Sequence, residues 1–250
     1  MVKYGHPIFR LAADRPRLSR LIAFILGAAT TLSFAPYGLS LLAPVLFLPV
    51  LYVFLTTAPR DAAGHAFWYS FGLFLTGTYW MYISVHVFGN AALWIALLLM
   101  VLLALLMAVV GTLGGWLISR LSQGEPWLLL AVAPAAWVLV EWVRSWIITG
   151  FPWMALGYGQ IDTGFSGWAP LLGVYGVSYM LVLTATAAIV AIMTLTLRGR
   201  IIGGAIVVLP WLLGSLLLLV DWTEPVGERI RATVIQAGLT QDQNWDPAQL

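Results

Sequence analysis

Apolar residues in this chain gather into long runs, broken by short polar or glycine- and proline-containing links. Seven runs, at residues 18–35, 39–56, 66–88, 91–119, 127–148, 169–197 and 201–220, reach or approach bilayer-spanning length. A helix needs roughly 20 residues for that crossing. In hydrocarbon every backbone N–H and C=O must be satisfied within the chain, so each run is expected to be helical. The pattern therefore predicts an all-α polytopic membrane bundle of about seven transmembrane helices. After Val220 the pattern changes. Residues 221–228 form a polar linker with proline and glycine, and Arg229-Ile-Arg-Ala-Thr-Val-Ile-Gln236 alternates polar and apolar positions as a strand does. A lone strand cannot bury its faces, so residues 229–250 are expected to begin a second domain. The predicted organisation is a basic tail at 1–17, a helical domain at 18–220, a linker at 221–228 and the start of that domain.

Composition agrees with a membrane as solvent. Hydrophobic residues make up 61% and charged residues 9% of the chain, against about a quarter charged in soluble domains. Mean hydropathy is +0.93. A net charge of +2 gives no basis for nucleic-acid binding. There is no cysteine and there are three scattered histidines, so thiolate or His-rich metal sites are not expected within these residues. The basic N-terminus, followed by an apolar run without a small-residue cleavage pattern, does not have the form of a cleavable signal peptide. With alternating crossings, nine of the twelve basic residues fall on one side: Lys3, Arg10, Arg15, Arg17, Arg20, Arg60, Arg120, Arg198 and Arg200. Positive charge in short flanks marks the cytoplasmic side. The N-terminus is therefore predicted inside and the segment after the seventh run outside.

Polar groups in or near the spans mark candidate chemistry. Thr78, Tyr82 and His86 are spaced four apart, beside Tyr79 and Trp80, and are expected on one helical face at the outer end of the third run. They would line a headgroup site or belong to an aromatic interface belt. Glu141 and Arg144, three apart, can pair on one face near the outer end of the fifth run. Such a pair would hold the following loop or a phosphate, or simply compensate charge within the helix. The loop from Thr149 to Asp162 contains three glycines, a proline, Phe151, Trp153 and Tyr158. It is expected to be non-helical and to re-enter the membrane surface or pack beneath an overlying domain. In the fourth run, Gly111 and Gly115 form a small-xxx-small step suited to close helix contact.

At these residues the chain resembles the apolipoprotein N-acyltransferase family. The similar stretches are Ser33-Phe-Ala-Pro-Tyr37, the segment from Phe71 to Ser84, Glu141-Trp-Val-Arg-Ser-Trp146, Thr149-Gly-Phe-Pro-Trp153, Gly157-Tyr-Gly-Gln-Ile-Asp162, Ala169-Pro-Leu-Leu-Gly-Val174 and Gln236 through Pro247. The resemblance implies that residues 229–250 open an α/β nitrilase-like domain on the periplasmic side of a bacterial inner membrane. It implies a Glu, Lys and Cys triad in that domain. The cysteine thiolate takes an acyl chain from a phospholipid, and the α-amine of a diacylated apolipoprotein then attacks the thioester. No cofactor or metal is implied. Carried over by position, Trp245, Trp153, Tyr82, Trp80 and Tyr158 are the implied substrate-binding residues, with Glu141 and Arg144 as a structural or headgroup pair. The family's usual turn after the strand differs from Gln236-Ala-Gly-Leu-Thr-Gln241 here. The triad would fall beyond Leu250, so these 250 residues are expected to be inactive alone. A non-catalytic membrane scaffold or lipid-binding module is the alternative. A transporter fits less well, because the charges sit near span ends and no inverted repeat is visible.

Overall fold

The computed structural model describes residues 14–228 and 230–236. Among them, each of the seven apolar runs holds one long helix: α1 (Pro16–Thr30), α2 (Leu42–Thr56), α3 (Pro59–Gly77), α4 (Leu93–Ser122), α5 (Pro126–Arg144), α6 (Ala169–Met193) and α7 (Leu197–Leu217). Prolines begin α1, α3 and α5, where the fixed φ suits a first helical turn and the missing N–H is not needed. Thr196 caps α7 by accepting from Gly199 N at 3.2 Å. Between α4 and α5, Gln123 and Gly124 take the left-handed conformation that reverses the chain.

Four segments are long and apolar enough to cross a membrane: α4, α5, Gly164–Met193 and α7. The other three helices differ for identifiable reasons. α1 and α2 have 15 residues each, about 22 Å of helix against a hydrocarbon core of about 30 Å. α3 carries Arg60, Asp61 and His65 in its first turns. The third run is also not one helix. It ends at Gly77, and after a turn at Thr78 the chain resumes as a short helical turn, Trp80–Tyr82, that widens into a π-type turn over Ile83–Phe88.

Side-chain and backbone contacts show that successive helices alternate in direction. Ser19 Oγ lies 2.8 Å from His65 Nε2, and Thr31 Oγ1 lies 2.7 Å from Thr76 Oγ1, so α1 and α3 run parallel. Ser119 near the end of α4 donates to Thr57 O at the end of α2, at 2.7 Å. Arg200 at the start of α7 donates to Thr194 O just past α6, at 3.1 Å. Arg20, Arg60, Arg120, Arg198 and Arg200 thereby collect at one end of the bundle. At the other end Trp168 donates to Pro210 O at 2.8 Å, so the linker after α7 leaves from the end opposite these arginines.

Packing centres on three aromatic rings from three helices. Phe47 lies 4.4 Å from Trp137 and 5.2 Å from Tyr69, with Tyr69 and Trp137 at 6.0 Å between centroids. Ring pairs of this kind add about 0.5–1.5 kcal/mol beyond their burial. The buried Tyr69 hydroxyl meets Thr30 Oγ1 at 3.1 Å. The Gly111/Gly115 step is the contact surface of α4 against α3, where a Cβ would lie 2.1 Å from Ser70 Oγ or 2.6 Å from Ala62 O. On α4 the exposed Leu98, Leu102, Leu106, Val109 and Leu113 form one outward stripe. An apolar face of that length on the outside of a helical protein suits acyl chains rather than water.

Among the described residues the predicted strand does not form. Residues 230–236 have no strand pairing, and Ile230, Val234 and Ile235 are exposed. Among the described residues no other extended segment offers an edge to pair with, and an unpaired strand has nothing to satisfy its amides.

Candidate substrate-facing site

The non-basic end of the bundle is closed by the segment joining α5 to α6. Its backbone is unusual. Ile148, Thr149, Gly150 and Met154 have φ of 50°, 72°, 83° and 63°. For the β-branched Ile148 and Thr149 this region is unfavourable and persists only where the surroundings impose it. Gly150 meets a second demand, since a Cβ there would lie 2.1 Å from Ser145 O.

Two buried charges impose the shape. Arg144 is 4% exposed. Its Nη1 donates to Phe151 O at 2.6 Å and also to Trp153 O, while its own carbonyl accepts from Phe151 N at 2.9 Å. Its guanidinium carbon sits 4.9 Å from the Phe74 ring centroid, a cation–π arrangement. Glu141 is 3% exposed. Its Oε1 accepts from Leu156 N at 2.9 Å and from Trp137 Nε1 at 3.0 Å. Further along, Gly157 N donates to Ser178 Oγ at 2.8 Å and Gln160 Nε2 donates to Ser40 O at 2.9 Å. The loop is thus sewn to α5, to α6 and to the turn before α2.

This corrects the expectation that Glu141 and Arg144 pair with each other. The two share a helical face, but among the described residues the one ion pair within 4.0 Å is Arg20–Asp61. One loop N–H, that of Leu156, reaches Glu141 Oε1, whose Oε2 has no hydrogen-bond partner among the described residues, while two loop carbonyls take the guanidinium of Arg144 in charge-assisted bonds. Both side chains thus hydrogen-bond to the loop that follows the helix. Beside them a cavity of about 20 Å³, lined by Ser70, Gly111, Trp137, Glu141, Arg144 and Met154, has room for one water.

The pinned loop presents an aromatic ledge. Trp153 lies 5.1 Å from Phe151 and 6.1 Å from Trp80, and Phe151 lies 6.1 Å from Phe74. Trp153 is 52% and Trp80 38% exposed, so the ledge is open at its outer side. Trp80 and Trp153, 73 positions apart, are therefore neighbours. Tyr82 packs against His86 at 5.4 Å, and His86 donates Nδ1–H to Ala91 O at 2.8 Å. Thr78 does not join their face. The helix break buries it, and it donates to Phe74 O at 2.7 Å. Tyr158 is half exposed on the turn Leu156–Gln160. Trp245 lies outside the described residues.

Sequence reasoning missed three supporting residues. Trp137 stands four before Glu141 on one helix, a spacing that could have revealed it. Ser178 and Ser40 reach the loop across 21 and 120 positions, and no local pattern announces such contacts.

Comparison with known proteins bears on the same segment. Residues 26–187, which include α2 to α5, the pinned loop and much of α6, match the family model described as the apolipoprotein N-acyltransferase N-terminal domain. A relative from Azotobacter vinelandii, named apolipoprotein N-acyltransferase, is 41% identical over 235 residues, covering 92% of this chain and 45% of the relative. Proteins of the same name from Pseudomonas putida and Methylococcus capsulatus are 39% identical over 235 residues and 36% over 232. They are covered to 46% and 45% of their lengths, by 92% and 91% of this chain. The chain thus spans a little under half the length of these curated relatives. With a family model matching more than half of it, and relatives of this identity across nine-tenths of it, this chain belongs to the apolipoprotein N-acyltransferase family.

Proposed function

We propose that this chain is the membrane-embedded part of an enzyme that moves an acyl chain from a phospholipid to the α-amine of a lipoprotein's N-terminal diacylglyceryl-cysteine. The observation that carries the reading is the aromatic ledge. It is held rigid by two buried charges at the end of the bundle from which the linker after α7 departs. In this reading all seven helices cross a bacterial inner membrane, with the arginine-rich end cytoplasmic, and residues 229–250 begin a periplasmic domain. The three shorter or more polar helices are accommodated by their packing inside the bundle.

Each residue then has a role. Trp153, Trp80 and Phe151 give the donor's acyl chain an apolar wall at the outer leaflet. Tyr82 and Tyr158 carry hydroxyls at headgroup depth, where amphipathic rings are favoured. Trp245 lines the mouth of the downstream domain. Glu141 and Arg144 position the ledge and touch no reacting atom. In the first chemical step a thiolate attacks the phospholipid ester carbonyl, forming a thioester and expelling lysophospholipid. In the second, the lipoprotein amine attacks the thioester, the amide forms, and the thiolate is regenerated as the amine loses its proton. The 250 residues contain no cysteine, so the thiol comes from outside them.

Intact-mass spectrometry tests this. Incubated with phospholipid, the polypeptide extended to the length of its relatives is expected to gain one acyl group as a thioester, and the 250-residue chain none. In the extended form Trp153→Ala should slow that gain roughly tenfold, the size of one lost apolar contact, with an unchanged melting temperature. An acyl adduct on the 250-residue chain, or normal kinetics in the Trp153 variant, overturns the assignment.

A further inference from the structure

The arginine-rich end has a feature that acyl transfer at the opposite end does not use. Between α1 and α3 lies a cleft of about 380 Å³ lined by Arg17, Arg20, Leu21, Phe24, Trp68 and Phe71. Its inner wall is aromatic. Phe24 packs edge-on to Trp68 at 6.3 Å and lies 5.7 Å from Phe71, with Trp68 and Phe71 at 6.0 Å. Its rim is cationic. Arg17 is exposed and has no ion pair or hydrogen bond with another described residue. Arg20 lies along Gly64, where a Cβ would stand 3.4 Å from its Nε. The Arg20 Nε is buried without an acceptor, and its Nη2 reaches Asp61 only at 3.7 Å. Among the described residues Asp61 is the one carboxylate within 4.0 Å of either guanidinium, and it meets Arg20 alone.

The two halves of the cleft are in register for one amphiphile. Arg17 and Arg20 are three apart, so they project from one side of α1. Phe24 follows one turn later, about 6 Å further along the axis, on the way into the bundle. A phosphate at the rim would therefore have its glycerol and first methylenes against Phe24, Phe71 and Trp68. A free phosphate would leave that aromatic wall exposed, and an uncharged amphiphile would leave the guanidiniums without a counter-ion.

We propose that this cleft binds one anionic phospholipid, with its phosphate between Arg17 and Arg20 and its acyl chains on Phe24, Trp68 and Phe71. The proposal rests on the bundle lying in a membrane and is independent of the acyl-transfer reading. The bound lipid closes the seam between α1 and α3 and neutralises the unmatched charge there. Basic pockets between helices on the cytoplasmic side are suited to such headgroups.

Native mass spectrometry of the 250-residue chain, released from detergent with defined lipids, tests it. One phosphatidylglycerol is expected to survive activation that strips phosphatidylcholine. Arg17→Gln, which leaves the Arg20–Asp61 contact in place, should reduce the retained adduct about fivefold, the worth of one basic residue near an anionic headgroup. Trp68→Ala should reduce it too, whereas Arg120→Gln, at the same end but outside the cleft, should not. Melting of each variant in lipid-free detergent confirms folding. Equal retention of phosphatidylcholine, an unchanged adduct in Arg17→Gln, or displacement by millimolar inorganic phosphate overturns the proposal. Because the chain's mass is read with intact lipid and no acyl transfer, failure here leaves the enzymatic reading standing, and the reverse also holds.

Discussion

Replacing Arg144 by Met is expected to destabilise the bundle by about 3–5 kcal/mol, the usual result of leaving a buried charge without its partners. Met fills much of the same space, so the loss is electrostatic rather than a cavity. The carbonyls of Phe151 and Trp153 lose their donor, and Glu141, 3% exposed, loses the one opposite charge in its surroundings. Two lost charge-assisted hydrogen bonds, at about 1.5–3 kcal/mol each, and a buried carboxylate without its counter-charge both contribute on this scale, and the double variant separates them. Removing both charges in Glu141→Gln/Arg144→Met should therefore cost less than the sum of the two single changes, because each single change strands an ion and the double variant strands none. Thermal unfolding in detergent measures all three variants. A single-variant loss under about 1 kcal/mol would mean that water solvates Glu141 through the adjoining cavity and that the staple is not structural.

The second large effect is expected at Gly27, where α1 crosses α3. A Cβ on Gly27 would stand 1.9 Å from Tyr69 O and 2.7 Å from Tyr69 C, and the reciprocal Cβ on Gly72 would stand 2.1 Å from Phe24 O. These are backbone atoms, which cannot rotate out of the way as a side chain could. Gly27→Val must therefore push the helices apart along the seam. That separation strains the Thr30–Tyr69 and Thr31–Thr76 hydroxyl contacts, at 3.1 and 2.7 Å, which tie the pair further along. Overpacking in a tight core typically costs about 1–3 kcal/mol, and this site belongs at or above the upper figure because neither neighbour yields. Gly204→Val is the control: nothing lies within 4 Å of a Cβ there, so its melting temperature should hardly move. If Gly27→Val melts with the wild type while both remain folded, the helix crossing is not as close as described.

Much of the candidate site is legible in the sequence, and the parts that are not share a cause. The loop after α5 announced itself through glycine, proline and exposed aromatics, and Glu141 and Arg144 stood out as charges in an apolar run. Their partners did not. Spacing put the two on one helical face, yet it could not say that Leu156 N and the carbonyls of Phe151 and Trp153 would compete for them and win. Likewise Trp80 and Trp153 each looked interfacial, but their meeting depends on how α3 and α5 pack. The third run misled for a different reason. Its hydropathy continues through Thr78, whereas the backbone turns there.

Hydropathy and basic-residue placement are local quantities, summed over a turn or a flank, and the chain alone determined what they encode: seven helical runs, an all-helical apolar bundle and arginines gathered at one end. Tertiary structure decided which helices are long enough to cross unaided, that α1 lies backbone-to-backbone on α3, and that two buried charges grip a loop instead of each other. Those outcomes depend on contacts between residues tens of positions apart. A buried polar group takes the best-aligned partner that packing brings within hydrogen-bonding distance, and no spacing along the chain records which one that will be.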